Sequence, residues 1–327
     1  MIFFSAINFF YVAFIAALLV LSVFSICFIL LLRFKSRSSR HLQNFNSLWT
    51  VRFLFVIFII LWSLTEVLRL PSFRRFYLYP LFPRLTLPQQ ANFCKLHLVL
   101  SLGFFEPGFL IILLFLLDVS VKKTTHKSFF SVFYVFASCL PLFLLQVYFV
   151  FLGGFKVRLP QPFHRTWFIP DMDHGNEALV FCDYPLLSTI LFGLFGVIFI
   201  LCFLLSFWKV VSQVINKALK LRIFALALTI LIGLPLQVLL MGMSAFWRPD
   251  KPTYNGIAVT VFLITFTFAA VGEGILVIKP IADSLAAAVA LVEQQPYGRM
   301  VKVMMKARHH HRLRRMVPLL PSAMPET

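Results

Sequence analysis

The chain has 327 residues, of which 60% are hydrophobic and only 13% charged, with 41 phenylalanines and a formal net charge of +18. Soluble domains carry about 25% charged and 45–50% apolar residues, so this composition excludes an ordinary soluble domain and indicates an integral membrane protein. The positive charge does not point to nucleic acid, because it lies in loops and a tail between apolar runs, where a membrane protein encodes its orientation.

The first apolar run, about Ala6 to Leu32, has no charge before Arg33. It lacks the basic leader and small-residue cleavage site of a removed signal peptide and is too long for one, so it reads as an uncleaved first span. Arg33, Lys35, Arg37 and Arg40 follow in a Ser-rich turn. The second span, about Leu48 to Leu68, ends in Glu66 and Arg69, an i,i+3 pair on one helix face. The pair reads either as a snorkelling interfacial ion pair or as polar lining near the outer mouth. Residues Pro71 to Gln90 contain four prolines and read as a loop with at most a short interfacial helix.

The third span is the axis of the chain. From Phe93 to Leu117 its only charges are Lys95 and Glu106. Glu106 lies 12 residues from both Cys94 and Asp118, roughly 18 Å from either end of a helix. That puts a carboxyl near the bilayer midplane, where it is costly and must be protonated or paired. Pro107 follows it, removes a backbone donor and is expected to kink the helix. Glu106 is either interhelical glue or a functional acid, facing polar groups of spans two, six or seven.

Span four runs from about Phe129 to Leu152 and is interrupted at Pro141. The longest connection follows, Phe155 to Asp183, long enough to fold over the helix ends. Span five covers about Pro185 to Trp208, span six about Ile223 to Phe246 with Pro235 at its centre, and span seven about Ile257 to Ile278. Glu273 stands between two glycines roughly 9 Å before Lys279. The fold class is therefore all-α, a polytopic seven-transmembrane helix bundle over residues 1–280. A basic tail over 281–327 begins with an Ala-rich stretch, Ile281 to Gln294, that reads as a short eighth helix along the membrane. Further on, Arg299, Lys302, Lys306, Arg308, Arg312, Arg314 and Arg315 lie among methionines and valines. Such a segment suits anionic lipid or a calmodulin-type partner; as a plain positive-inside tail it would have neither. His309, His310 and His311 lack neighbouring ligands for a metal site and read as surface.

One set of loops, with the tail, holds 20 basic residues and the other set 9. The excess marks the cytoplasmic side, which puts the N-terminus outside and the tail inside. Cys94 and Cys182 then fall on the outer, oxidising side. Among the motifs sought, none of HExxH, GxSxG, a phosphate-cradling glycine loop or paired intramembrane aspartates occurs, so neither enzymatic activity nor a cofactor is expected. His97, at the outer end of span three, reads as a satisfied interfacial side chain.

Several stretches resemble the plant candidate G-protein-coupled-receptor-like seven-transmembrane proteins. They are Glu66-Val67-Leu68-Arg69-Leu70, Asn92-Phe93-Cys94-Lys95, Leu102-Gly103-Phe104-Phe105-Glu106-Pro107, the run from Cys182-Asp183-Tyr184-Pro185 to Leu191, Val214-Ile215-Asn216-Lys217 and Asp283-Ser284. The resemblance implies a receptor-like plasma-membrane protein with heterotrimeric G protein or another cytosolic partner. Cys94 and Cys182 occupy the positions at which seven-helix receptors tie down their long outer loop, so a disulfide between them is expected. The chain departs from animal receptors in ending span three with Asp118-Val119-Ser120 and in having Lys279-Pro280 after span seven. The other class of function is a membrane scaffold or a small-solute or proton transporter using Glu106 and Glu273.

Overall fold

The structure, a computed structural model, describes residues 2–36, 49–70, 73, 74, 80, 86–119, 128–152, 160–169, 180–249 and 251–286. It divides into two units, Met1–Ile281 and Ala282–Thr327. Among the described residues, seven helices are long and apolar enough to cross a membrane. They are α1 (Ile2–Ser36), α2 (Trp49–Arg69), α3 (Leu87–Val119), α4 (Ser128–Val147, continued by a π turn over Tyr148–Leu152), α5 (Leu186–Gln213), α6 (Lys217–Ser244) and α7 (Pro252–Ala286). The protein is all-α and polytopic. In hydrocarbon every backbone N–H and C=O must be satisfied within the chain, and a helix does this along its own length.

Helix starts follow local chemistry. Pro185 and Lys251 precede α5 and α7, and α7 opens on Pro252, which needs no intrahelical donor in the first turn. Asn216 caps α6 by accepting the Ala218 N–H at 3.0 Å. The break between α5 and α6 is only Val214 to Asn216, because the basic stretch from Lys209 to Arg222 is helical on both sides of it. That stretch reads as a longer loop by composition alone.

One expectation about proline is corrected: helix α4 passes through Pro141 without interruption, as α6 does through Pro235. At Pro107 and Pro280, by contrast, a π turn immediately precedes the residue before the proline: Ser101–Phe105 before Glu106, and Gly274–Ile278 before Lys279. The Glu106 N–H reaches the Ser101 carbonyl and the Lys279 N–H the Gly274 carbonyl, each five residues back. Widening the turn relieves the clash between a proline ring and the carbonyl four residues earlier. Of the eighth helix expected over Ile281 to Gln294, only the first residues are described. Residues 281–286 are helical, and the rest of that stretch lies outside the described residues.

Within the first unit, α1 packs on α2 and α7, α7 on α6, and α6 on α5, while α3 touches α2, α4, α5 and α7. The membrane-length stretch of α3 is 78% buried against 22% for α5, so α3 is the centre. Over the end of the bundle that carries Cys94 sits a two-stranded antiparallel hairpin, β1 (Trp167–Phe168) paired with β2 (Phe181–Cys182).

Candidate functional site

Helix α2 turns one stripe inward: Phe55, Ile59, Trp62, Glu66 and Arg69 are all buried. Their spacing of three or four residues places them on one helix face. This stripe meets α3 where Ser101 and Glu106 are separated by the π turn. Glu106 is 4% exposed, and its carboxylate accepts three hydrogen bonds. Trp62 Nε1 of α2 donates to Oε1 at 3.2 Å, Ser101 Oγ donates to Oε1 at 2.9 Å, and Gln237 Nε2 of α6 donates to Oε2 at 2.7 Å. Three helices are thereby tied to one acid near the midplane.

About one and two turns beyond Trp62 on α2, Glu66 and Arg69 are both buried rather than snorkelling, with Arg69 Nη1 3.8 Å from Glu66 Oε2. His97 of α3, read from sequence as interfacial, is buried too; its Nε2 lies 3.7 Å from Glu66 Oε1 and its Nδ1 3.0 Å from the Thr65 carbonyl. Ser101 of α3 bonds Glu106 and lies on the side of it that faces Glu66. Arg69 Nη1 donates to the Tyr184 hydroxyl at 2.6 Å, and its guanidinium lies over that ring at 4.5 Å. A cavity of about 50 Å³, roomy enough for water, adjoins Tyr11, Arg69, Cys182 and Tyr254.

Tyr184 follows the hairpin, and the hairpin is held from several sides. Cys94 and Cys182 form a disulfide with Cα atoms 5.1 Å apart. Ala91, Cys94, Val180 and Cys182 make a small core, with Ile169 against it. Arg74, after α2, donates to the Val180 carbonyl, and the Tyr254 hydroxyl of α7 donates to the Cys182 carbonyl at 2.9 Å. Arg165 pairs with Asp183 and donates to the Trp247 carbonyl at 3.1 Å, tying the hairpin to the α6–α7 connection. Burial pushes the Asp183 carboxyl up to about 6 against the opposing pull of Arg165, and burial also raises the Tyr184 phenol well above its ordinary value.

Of the residues singled out by sequence, Glu66, Arg69 and Glu106 lie in one connected cluster, and Cys94 and Cys182 lie directly above it. Glu273 belongs elsewhere: Ser22 Oγ of α1 donates to its Oε2 at 3.2 Å. Arg299, Lys302, Lys306, Arg308, Arg312, Arg314 and Arg315 lie outside the described residues. Trp62, Ser101, Gln237 and Tyr184 were not legible as site residues, because single polar side chains recur in every span. Among the described residues no group of three or more His, Cys, Asp or Glu side chains is placed to hold a metal ion.

Fold and cluster together define a multi-pass, all-α membrane protein with a disulfide-pinned hairpin above a buried polar cluster. The chain belongs to the family described as uncharacterised conserved protein UCP031277, whose sequence profile matches residues 2–294. No curated protein matches it.

Proposed function

We propose that this chain is a receptor-like seven-helix protein of the plasma membrane, with its N-terminus outside and its tail in the cytoplasm. The hairpin is the sensing element. The observation that carries this reading is the Arg69–Tyr184 contact, because it joins the hairpin to a polar series that continues through Glu66 and Ser101 to Glu106. A displacement of the hairpin changes the partner of a buried guanidinium, and a buried charge that loses its partner forces its neighbours to rearrange. Helix α3, which carries Ser101 and Glu106, runs to the opposite end of the bundle and delivers that rearrangement there. Heterotrimeric G protein is the cytosolic partner this reading names, and acidic lipid is the partner of the basic tail. The output is a conformational change, not an enzymatic reaction.

The test is guanine-nucleotide exchange on purified heterotrimeric G protein added to the reconstituted full chain. Exchange faster than in empty vesicles, altered by Arg69→Gln, is the expected result. Exchange indifferent to the chain and to Arg69→Gln removes G-protein coupling. The scaffold or transporter reading draws on a different observation, the three donors that already satisfy Glu106. Proteoliposomes loaded with a pH dye separate these: a proton flux abolished by Glu106→Gln favours transport, and no flux with intact folding favours a scaffold.

A further inference from the structure

Arg52 is a buried cation with no acid beside it. It stands at the end of the first turn of α2, 17 residues before Arg69, roughly 25 Å along the helix. Only 8% of it is exposed, and its Nε makes no hydrogen bond. Arginine is almost never buried this far unless paired, because a desolvated charge without a partner is costly. Yet every described acid of the first unit is engaged elsewhere. Glu66 faces Arg69, Glu106 accepts from Trp62, Ser101 and Gln237, and Glu273 accepts from Ser22. Asp118 lies 3.9 Å from Lys209, and Asp183 pairs with Arg165. Helix α1 contains no acid, and α2 has none before Glu66. Among the described residues, Arg52 therefore has no ion-pair partner.

A second cation is held at the same place. The Arg33 guanidinium, near the end of α1, lies 3.7 Å from the centroid of the Trp49 ring. That ring is fixed on its own helix by Phe53, at a centroid distance of 6.4 Å. Trp49 and Arg52 are three residues apart and so are neighbours on the surface of α2. Stacking on an aromatic ring uses the face of a guanidinium and leaves its in-plane N–H groups able to donate. Side chains on a helix lean toward its N-terminus, so Arg52 leans back toward this first turn. The positive end of the α2 dipole lies there too.

We infer that Arg33, Arg52 and the start of α2 form a binding site for a phosphomonoester group. Such a group carries about −1.5 to −2 charges at pH 7 and three acceptor oxygens. It balances two guanidinium charges, and each planar guanidinium can give it two parallel N–H bonds. A carboxylate or a phosphodiester brings one negative charge and would leave one of the two cations uncompensated. The same group is presented by the headgroup of phosphatidic acid, in the leaflet at this end of the bundle, and by free phosphate. The site does not depend on the receptor reading, because it lies at the other end of α2 from Arg69 and the hairpin.

The experiment places the full chain in phosphatidylcholine nanodiscs prepared without phosphate. Phosphatidic acid or phosphatidylglycerol is added, and lipid retained after transfer to detergent is counted by native mass spectrometry. In a separate arm, thermal melting is followed as inorganic phosphate is added. One phosphatidic acid per chain, retained in preference to phosphatidylglycerol, identifies the lipid as the source; a melting temperature raised by inorganic phosphate identifies the free anion. Arg52→Gln should weaken whichever binds about tenfold or more, the effect of losing a hydrogen bond to a charged group. The chain with Arg312, Arg314 and Arg315 all changed to Gln should bind as the wild type does, which separates this site from the tail. Without any phosphate, Arg52→Gln should melt at or above the wild-type temperature, because a buried charge that has no partner is removed. A lower melting temperature there means that Arg52 already has a counter-charge within the chain, and overturns the site. Binding of neither probe by the wild type, or binding unchanged by Arg52→Gln, also overturns it. Equal retention of phosphatidic acid and phosphatidylglycerol overturns the monoester assignment.

Discussion

Glu106 is bound by three donors from three helices, so its substitution separates hydrogen bonding from charge. Glu106→Gln keeps an acceptor for Trp62 and Ser101, and an amide flip of Gln237 supplies an acceptor for the new N–H group. Glu106→Ala leaves three buried donors without a partner. Two of the three bonds are interhelical, and such bonds in membranes average about 0.6 kcal/mol, so Glu106→Ala should cost about 1 kcal/mol or more and Glu106→Gln less. Unfolding in bicelles by a denaturing detergent measures both, and equal losses for the two variants would show that charge, not hydrogen bonding, holds the helices. Asp183 gives a second prediction. Its ordinary value is 3.8 and its value in the folded hairpin about 6, because burial outweighs the pull of Arg165. The folded state therefore holds this proton more tightly than the unfolded chain. The contribution of Asp183 to stability is fully present below 3.8 and is lost as pH rises through about 6. Thermal melts of the wild type and Asp183→Asn at pH 4 and pH 7 should show a smaller pH-dependent loss in the variant. A variant with the same slope as the wild type refutes the assignment.

Helix α3 shows how an element can be found from sequence while its working detail is not. Its span was legible because a run of apolar residues bounded by charges has few other readings, and Glu106 was legible as the lone acid inside it. The π turn over Ser101–Phe105 was not, since it follows from the fit of a proline-bearing helix to its neighbours rather than from composition. Neither was the hairpin, whose strands have two residues each and no usable periodicity. The same helix contains a close approach that only packing reveals. A Cβ on Gly108 would stand 2.0 Å from Phe58 Cε1. Phe58 cannot retreat, because its ring packs against Phe104, Phe105 and Phe136 at centroid distances of 5.3–6.0 Å. Gly108→Ala should therefore destabilise α3 against α2 by about 1–3 kcal/mol, the usual range for overpacking. Gly274→Ala, where nothing lies within 4 Å of the added carbon, is the matched control and should change little. For the hairpin, Cys94→Ser opens a loop of 88 residues, and removing such a bond typically costs about 2–4 kcal/mol. Limited proteolysis should then cut near the hairpin while circular dichroism still reports the helices. A hairpin as resistant as in the oxidised wild type would mean that Arg74, Arg165 and Tyr254 suffice to hold it.

At the scale of the whole molecule, two independent features bear on which end of the bundle faces out. The loops on one side, with the tail, hold 20 basic residues against 9 on the other, and the basic side is retained in the cytoplasm during insertion. The disulfide lies at the opposite end, and disulfides persist where the compartment is oxidising. Helices α1 and α3 are both odd in the chain order, so they run in the same direction. Cys94 is near the start of α3, so the start of α1 is at the disulfide end. The expected arrangement is N-terminus and hairpin outside, tail inside. An epitope added at the C-terminus should be protected from protease in intact cells and exposed after permeabilisation. Cys94 and Cys182 should react with a membrane-impermeant maleimide only after external reduction. A tail digested in intact cells would reverse the bundle, put the disulfide in a reducing compartment and leave the hairpin unable to sense anything outside the cell.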